Sequence, residues 1–325
     1  MEKCQCGRSG LEKSSTSFVR KLTDDCGQIT YDDQFQTPNN HFGQLKLLLS
    51  EIEFLTPYYG QEFSVIYAGA APGLHILILA RMFPTMKFVL VDPAPSIFEK
   101  IDKKELDVDG GHPENTSETI KEYEKITKEK IEVRKVIMTP AIASEFSGRG
   151  DTLFISDVRV GLPAGGKESG RQHQERIHAD MLAQQEWVRE MRPCASILKF
   201  RLPWQIGYTR YLKGDIIFPV YGRPLTHETR LIVKRKDVFG NLSYDNKLYE
   251  KQMAYFNQRM RHVYYVGKWC YDCTAFYKII DFYCAKSLTS GFDSKIPLTT
   301  CYKIESELQV LRALWEPFVP KKPHI

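Results

Sequence analysis

Five short apolar runs, spaced by stretches of helical length, constrain this chain more than any other feature. They are FSVIYAG (63–69), KFVLVD (87–92), DTLFISD (151–157), ASILKF (195–200) and ETRLIV (228–233). Each has the length and β-branched content of a strand. Apolar spacing predicts helices over 74–83, 117–129 and 174–191, and Asn115 with Glu118 resembles a capping box for the second. GQLKLLLSEIEFL (43–55), apolar at 45, 48, 49, 52 and 55, predicts a further helix before the first strand. Strands alternating with helices imply an α/β fold: a mostly parallel, doubly wound, Rossmann-like sheet covered on both faces. Residues 1–40 lack periodicity and read as an irregular N-terminal arm. The core domain is expected over 41–290, with 291–325 as a C-terminal extension, a helix and then a Pro-rich tail. The segments 107–117 and 160–170 read as polar, Gly-rich loops.

Composition sets the outer bounds. The chain has 325 residues, 42% hydrophobic and 26% charged, ordinary for a soluble globular protein. A net charge of +5 leans towards an anionic partner without establishing nucleic acid. The polar first 40 residues give no expectation of a signal peptide. The most apolar run, SVIYAGAAPGLHILILARMF (64–83), contains two Gly, a Pro and a His. It reads as strand, turn and helix, so no membrane partner is expected. The eight cysteines are read as reduced thiols. CYDC (270–273) has the spacing of half a zinc site, which Cys284, Cys301 or His262 would have to complete. With no second close pair, buried thiols are the favoured reading and no metal is expected. After 262 the chain is dense in aromatics such as Tyr264, Tyr271, Phe276 and Tyr283. These suit a packed core or a base-stacking surface.

VIYAGAAPGLH places Gly69 and Gly73 directly after the first predicted strand. Glycine lets the backbone approach a ligand and turn sharply into a helix, whose first amides face that ligand. Asp92 ends the next strand, where a carboxylate can bind a ribose diol. The pattern is not G-x-G-x-x-G, which disfavours a nicotinamide cofactor. An adenosine ligand is favoured, with S-adenosylmethionine the natural candidate.

Charged residues then fall at strand ends. Asp157 ends one run, Lys199 stands near the end of another, and Glu228 begins the last. Lys199 lies among apolar neighbours, where an ammonium must be paired or neutralised. In open α/β sheets the crevice lies at the carboxyl ends of parallel strands, so Asp157 and Lys199 should meet there. Glu228 reaches that edge only if its strand runs antiparallel. Lys46, between Leu45 and Leu47, would be solvent-facing by periodicity alone. Structural ion pairs are the competing reading of all four.

In this order, GQLKLLLSEIEFL, VIYAGAAPGLH, LFISDVR, SILKFRLPW and HETRL, followed by LYEKQMAYFN (248–257), resemble the poxvirus poly(A) polymerase small subunits. Those are also cap-specific mRNA nucleoside-2′-O-methyltransferases. The similarity runs from about 43 to 286. It implies a Rossmann-like S-adenosylmethionine-dependent methyltransferase fold with an antiparallel edge. It also implies a catalytic tetrad of Lys46, Asp157, Lys199 and Glu228, in which Lys199 accepts or steers the proton of a ribose 2′-hydroxyl. The implied cofactor positions are Gln44, Gly69, Ala71, Gly73, His75, Asp92, Val158 and Arg159, with adenine near Val136 to Met138. In VDPAP, Ala94 replaces the arginine that the family carries two residues after the ribose-binding aspartate.

The resemblance further implies that a 7-methylguanine cap stacks between two aromatic rings with a carboxylate at its edge. The residues carried over are Trp204, Tyr31 and Glu250. A core tryptophan is the competing reading of Trp204. Candidate RNA contacts are Arg159, Lys167, Arg171, Arg201, Arg210 and Lys234. The implied partners are capped mRNA and a poly(A) polymerase catalytic subunit, in the host cytoplasm, the viral factory or the virion. An RNA-binding processivity subunit of that polymerase is the alternative function, and the two can coexist.

Overall fold

The computed structural model describes residues 18–35, 43–103, 116–159, 169–266, 269–288 and 295–318. Regular structure begins with α1 (Gly43–Leu55), β1 (Ser64–Ala68), α2 (Leu74–Met82), β2 (Lys87–Val91) and α3 (Ile97–Asp102). It continues through α4 (Thr116–Lys130), β3 (Ile131–Arg134), α5 (Pro140–Ser144), β4 (Thr152–Ser156), α6 (Gly170–Met191) and β5 (Ala195–Phe200). Then come β6 (Tyr208–Leu212), β7 (Asp215–Ile217), β8 (Thr229–Lys234), β9 (Asn241–Asp245), α7 (Asn246–Tyr255) and a single turn, α8 (Arg261–Val263). Two longer helices, α9 (Tyr271–Ser287) and α10 (Ile296–Trp315), follow.

The main sheet has seven strands in the order β3-β2-β1-β4-β5-β8-β7. Strands β1 to β5 pair with one another in parallel. Strand β8 runs antiparallel to both β5 and β7. All residues of β4 are buried, the signature of a strand covered on both faces. Helix α2 is buried at every position but Arg81, which is why its sequence is apolar all round. The apolar run 64–83 is thus strand, turn and helix. Among the described residues no helix is long and apolar enough to cross a membrane.

Both ends of the chain are laid on this core. Residues 18–35 form no helix, as expected of an irregular arm, but they are pinned. Leu22 N–H donates to Ile216 O (2.9 Å) and Phe218 N–H donates to Arg20 O (2.9 Å), covering the exposed edge of β7. Arg20 bridges to Glu53 on α1 at 2.6 Å. Helix α10 buries Cys301, Ile304, Leu311 and Leu314, and its Glu307 pairs with Arg81 of α2. The Pro-rich tail, Asn115, Lys167 and most of both Gly-rich loops lie outside the described residues.

Much of the aromatic segment after 262 is core, though Phe282 is exposed. Tyr264, Tyr271 and Phe276 are buried, so the base-stacking alternative fails there. Cys270 and Cys273 are buried at the start of α9, where the Cys273 thiol accepts from Tyr221 OH (3.7 Å). Beneath the loop joining β7 to β8 lies a buried ion pair, Arg261 with Asp272 at 2.7 Å. Arg261 also donates to Gly222 O (2.9 Å), and Asp272 accepts from Tyr221 N–H (2.9 Å). Tyr221 has φ +54°, a strained value for a non-glycine residue, and this acceptor fixes it.

Candidate active site

Register brings the predicted charges to one edge. Ala68 of β1 pairs with Val91 of β2 and with Ser156 of β4, so Gly69, Asp92 and Asp157 emerge side by side. Ser156 pairs with Leu198, and Lys199 pairs with Arg230 of reversed β8. Glu228, immediately before β8, therefore stands at the carboxyl edge of the parallel strands. The antiparallel condition for its arrival is met.

Four elements supply one charge cluster. Lys46 Nζ on α1 donates to Glu228 Oε1 at 2.7 Å. Lys199 Nζ lies 3.1 Å from Asp157 Oδ1 and 3.7 Å from Glu228 Oε2. Arg159 Nη2 approaches Glu228 Oε2 at 3.5 Å. Lys46 is mostly buried, not solvent-facing, because α1 turns this side towards the sheet edge. A further residue, missed in the sequence, completes the cluster. Arg230 Nη2 donates to Asp157 Oδ1 (2.8 Å) and lies 3.4 Å from Glu228 Oε1.

Burial pushes the Lys46 ammonium below its ordinary value, with Glu228 opposing and Arg230 assisting. Burial would raise the Glu228 carboxyl, but Arg230, Lys46 and Lys199 together hold it well below its ordinary value. Two carboxylates thus sit among four cations, Lys46, Lys199, Arg230 and Arg159. Such a cluster can orient an ammonium and handle a proton beside it. A cavity of about 250 Å³ opens here, walled by Lys46, Glu228, Thr226, Arg223, Gly222 and Pro219.

The glycine turn lies next to this cluster. Gly69 has φ +80°, and a Cβ there would stand 2.9 Å from Val158 N. Only glycine allows the turn to pass so close to the end of β4. Gly73, at φ +81°, caps α2, and a Cβ there would strike Phe98 at 2.5 Å. The Asp92 carboxylate accepts from Ala71 N–H (3.0 Å) and Ala94 N–H (2.8 Å), tying the turn to the end of β2. Ala94 is exposed, as are Val136 and Ile137 beyond β3, while Met138 is buried. A turn of small residues, a carboxylate beyond β2 and exposed apolar residues beyond β3 fit an adenosine-type cofactor.

Two of the predicted cofactor positions divide their work. Gln44 Oε1 lies 2.8 Å from His75 Nδ1. His75 itself is 2% exposed, with Nε2 3.2 Å from Glu51 and 3.3 Å from Tyr67 OH. The first turn of α2 faces α1, so His75 braces Gln44 from behind instead of lining the crevice.

A second group of predicted residues forms an aromatic slot. Trp204 is 43% exposed, which removes the core-tryptophan reading. Its ring lies 5.9 Å from Tyr31, at 39°. The arm brings Tyr31 here, anchored by its hydroxyl on Thr226 O at 2.8 Å. Glu250 on α7 is buried and accepts from Lys247 Nζ at 2.9 and 3.0 Å. A residue missed in the sequence, His227, stacks on both rings, 3.6 Å from Trp204 and 4.5 Å from Tyr31. Its position beside Glu228 in HETRL was the available signal.

The candidate RNA contacts scatter. Arg201 lies over Trp204 at 5.7 Å, with Nη1 3.2 Å from His173 Nε2. Arg159 touches Glu228 as above. Arg210 is exposed on β6, outside the main sheet, and exposed Arg171 pairs with Glu175 on its own helix. Lys234 pairs with Ala195 at the start of β5, on the opposite edge of the sheet. An antiparallel strand carries its last residue away from the site, so Lys234 is withdrawn as a contact near it.

A doubly wound parallel sheet with reversed β8 inserted before β7, and a glycine turn leading from β1 into α2, is the Rossmann-like S-adenosylmethionine-dependent methyltransferase fold. The chain belongs to the poly A polymerase regulatory subunit family, whose profile matches residues 17–299. It is similar to two curated poxvirus proteins named cap-specific mRNA (nucleoside-2′-O-)-methyltransferase. The fowlpox virus (strain NVSL) protein is 26% identical, over 72% of this chain and 74% of that protein. The myxoma virus (strain Lausanne) protein is 26% identical, over 84% of this chain and 82% of that protein. Among solved structures, bluetongue virus VP4 aligns at 11% identity and a TM-score of 0.43, over 80% of this chain and 36% of that one.

Proposed function

We propose that this chain transfers a methyl group from S-adenosylmethionine to the ribose 2′-hydroxyl of the first transcribed nucleotide of capped mRNA. The observation that carries the reading is the convergence of Lys46, Asp157, Lys199 and Glu228, from four separate elements, beside the glycine turn. The names of the poxvirus relatives support the same chemistry. When bound, S-adenosylmethionine supplies an electrophilic methyl on a sulfonium. Gly69, Ala71, Gly73, Asp92, Val158, Arg159 and Gln44 hold it, with His75 positioning Gln44. Lys199 Nζ receives or steers the hydroxyl proton. Asp157 and Glu228 orient the two lysines and offset their charge. Tyr31, Trp204 and Glu250 hold the cap, whose methylated base is cationic and suits an aromatic face.

Lys199→Ala tests the assignment. Transfer of labelled methyl to capped RNA should fall by about 100-fold or more, while cofactor binding, measured by calorimetry, stays within a few-fold. Near-normal turnover would overturn it.

The family's description supports a second role beside the first, as the regulatory partner of a poly(A) polymerase catalytic subunit. Co-purification of the two chains tests it, and separate elution at micromolar concentrations would count against it.

A further inference from the structure

We propose that His227 reads the base in the aromatic slot, as a hydrogen-bond acceptor for an N–H on the edge of a guanine stacked against Trp204. The proposal rests on the cap-binding reading above. His227 is 3% exposed. Its ring lies 20° from the plane of Trp204 and 21° from that of Tyr31. Its Nε2 is buried and has no hydrogen-bond partner among the described residues. Buried polar atoms are rarely left unpaired, and one that is so left marks a place where something completes it.

Three physical points narrow what that partner is. First, the imidazole is neutral. Burial, then the charges of Arg201 and Lys247, push it down to about 3. A neutral imidazole keeps one ring nitrogen as a bare acceptor. Second, the lone pair of a ring nitrogen lies in the ring plane. A group bonding to Nε2 therefore lies close to the plane of the imidazole. A planar base edge meets that condition. Trp204 remains 43% exposed, so His227 leaves indole surface for a base to cover. Third, guanine offers adjacent donors, N1–H and the 2-amino group. Glu250 supplies one acceptor, with both its oxygens also engaged by Lys247. His227 supplies another.

The backbone makes this position rigid. Tyr249 OH donates to His227 O at 2.6 Å, and Tyr249 OH lies 3.0 Å from Thr229 Oγ1. Glu228 is the next residue, so one short segment joins base reading to the charge cluster.

The test is titration of the full chain, by tryptophan fluorescence, with a 7-methylguanosine cap dinucleotide and with its 7-methylinosine counterpart lacking the 2-amino group. The wild type should prefer guanine by roughly five- to tenfold. His227→Phe, which keeps a stacking ring, should bring the ratio to within about twofold. His227→Gln, which restores an acceptor, should recover part of it, and thermal unfolding checks that each variant is folded. A wild type that binds both analogues equally overturns the proposal without reference to any variant. So does His227→Phe with an undiminished ratio. A wild type that binds neither analogue overturns the cap reading itself.

Discussion

Glu228 and Arg230 stand two positions apart in the chain, and a strand puts residues at that spacing on one face. Arg230 was therefore legible in HETRL as a charge aimed where Glu228 is aimed. Lys46 was legible only through resemblance, since its place between two leucines gives no signal of its own. His227 gave no signal beyond its place beside Glu228, because its stacking on Tyr31 joins residues far apart in the chain. Its burial has a measurable consequence. The imidazole is depressed to about 3 in the folded chain, against about 6.5 unfolded. The unfolded state therefore takes up the proton first as pH falls, and stability drops between about pH 6.5 and 3 by up to roughly 4 kcal/mol. His227→Phe should flatten that part of the urea-unfolding profile, and an unchanged slope would contradict the neutral assignment. Trp204→Ala should weaken capped-RNA binding about tenfold or more. Uncapped RNA should change by less than about twofold, because the lost group is a stacking face and not a phosphate contact. Equal losses would contradict the slot.

The elements that build the site are those whose periodicity was plainest. Helices α1, α2 and α6 and strands β1, β2, β4, β5 and β8 fall within a few residues of the sequence expectation. Strand β3 has only four residues and partly exposed positions, so no buried run announced it. Strands β6 and β9 form a separate two-stranded sheet, β6 with exposed positions between buried ones and β9 mostly exposed, so neither has an apolar run. The segment between β7 and β8 forms a wall of the charge-cluster cavity, and Arg261 with Asp272 supports it from below. Breaking a fully buried pair leaves a charge uncompensated, at a cost of about 3–5 kcal/mol. Asp272→Ala should lose about that much in urea unfolding and should also weaken RNA binding as the loop loses its support. A loss below about 1 kcal/mol would contradict this role for the pair.

At the scale of the whole molecule, alternation of strand and helix was enough to predict a doubly wound sheet, because parallel strands need helical crossovers. The order of the strands and the reversal of β8 were not in that pattern. They rest on long-range pairing, and only the family resemblance implied them. The expected three-part division is softer than it looked, since residues 18–35 and α10 are fastened to the central core. The arm's fastening brings Tyr31 beside Trp204. Slot and charge cluster thus lie at one edge of one sheet, joined through His227 and Glu228, as a cap-proximal ribose would require. The most direct measurement is transfer of labelled methyl from S-adenosylmethionine to two capped RNAs, differing only in a 2′-hydroxyl or a 2′-deoxy sugar at the first nucleotide. The account predicts label on the hydroxyl substrate and none on the deoxy one. Equal labelling of the two would contradict it.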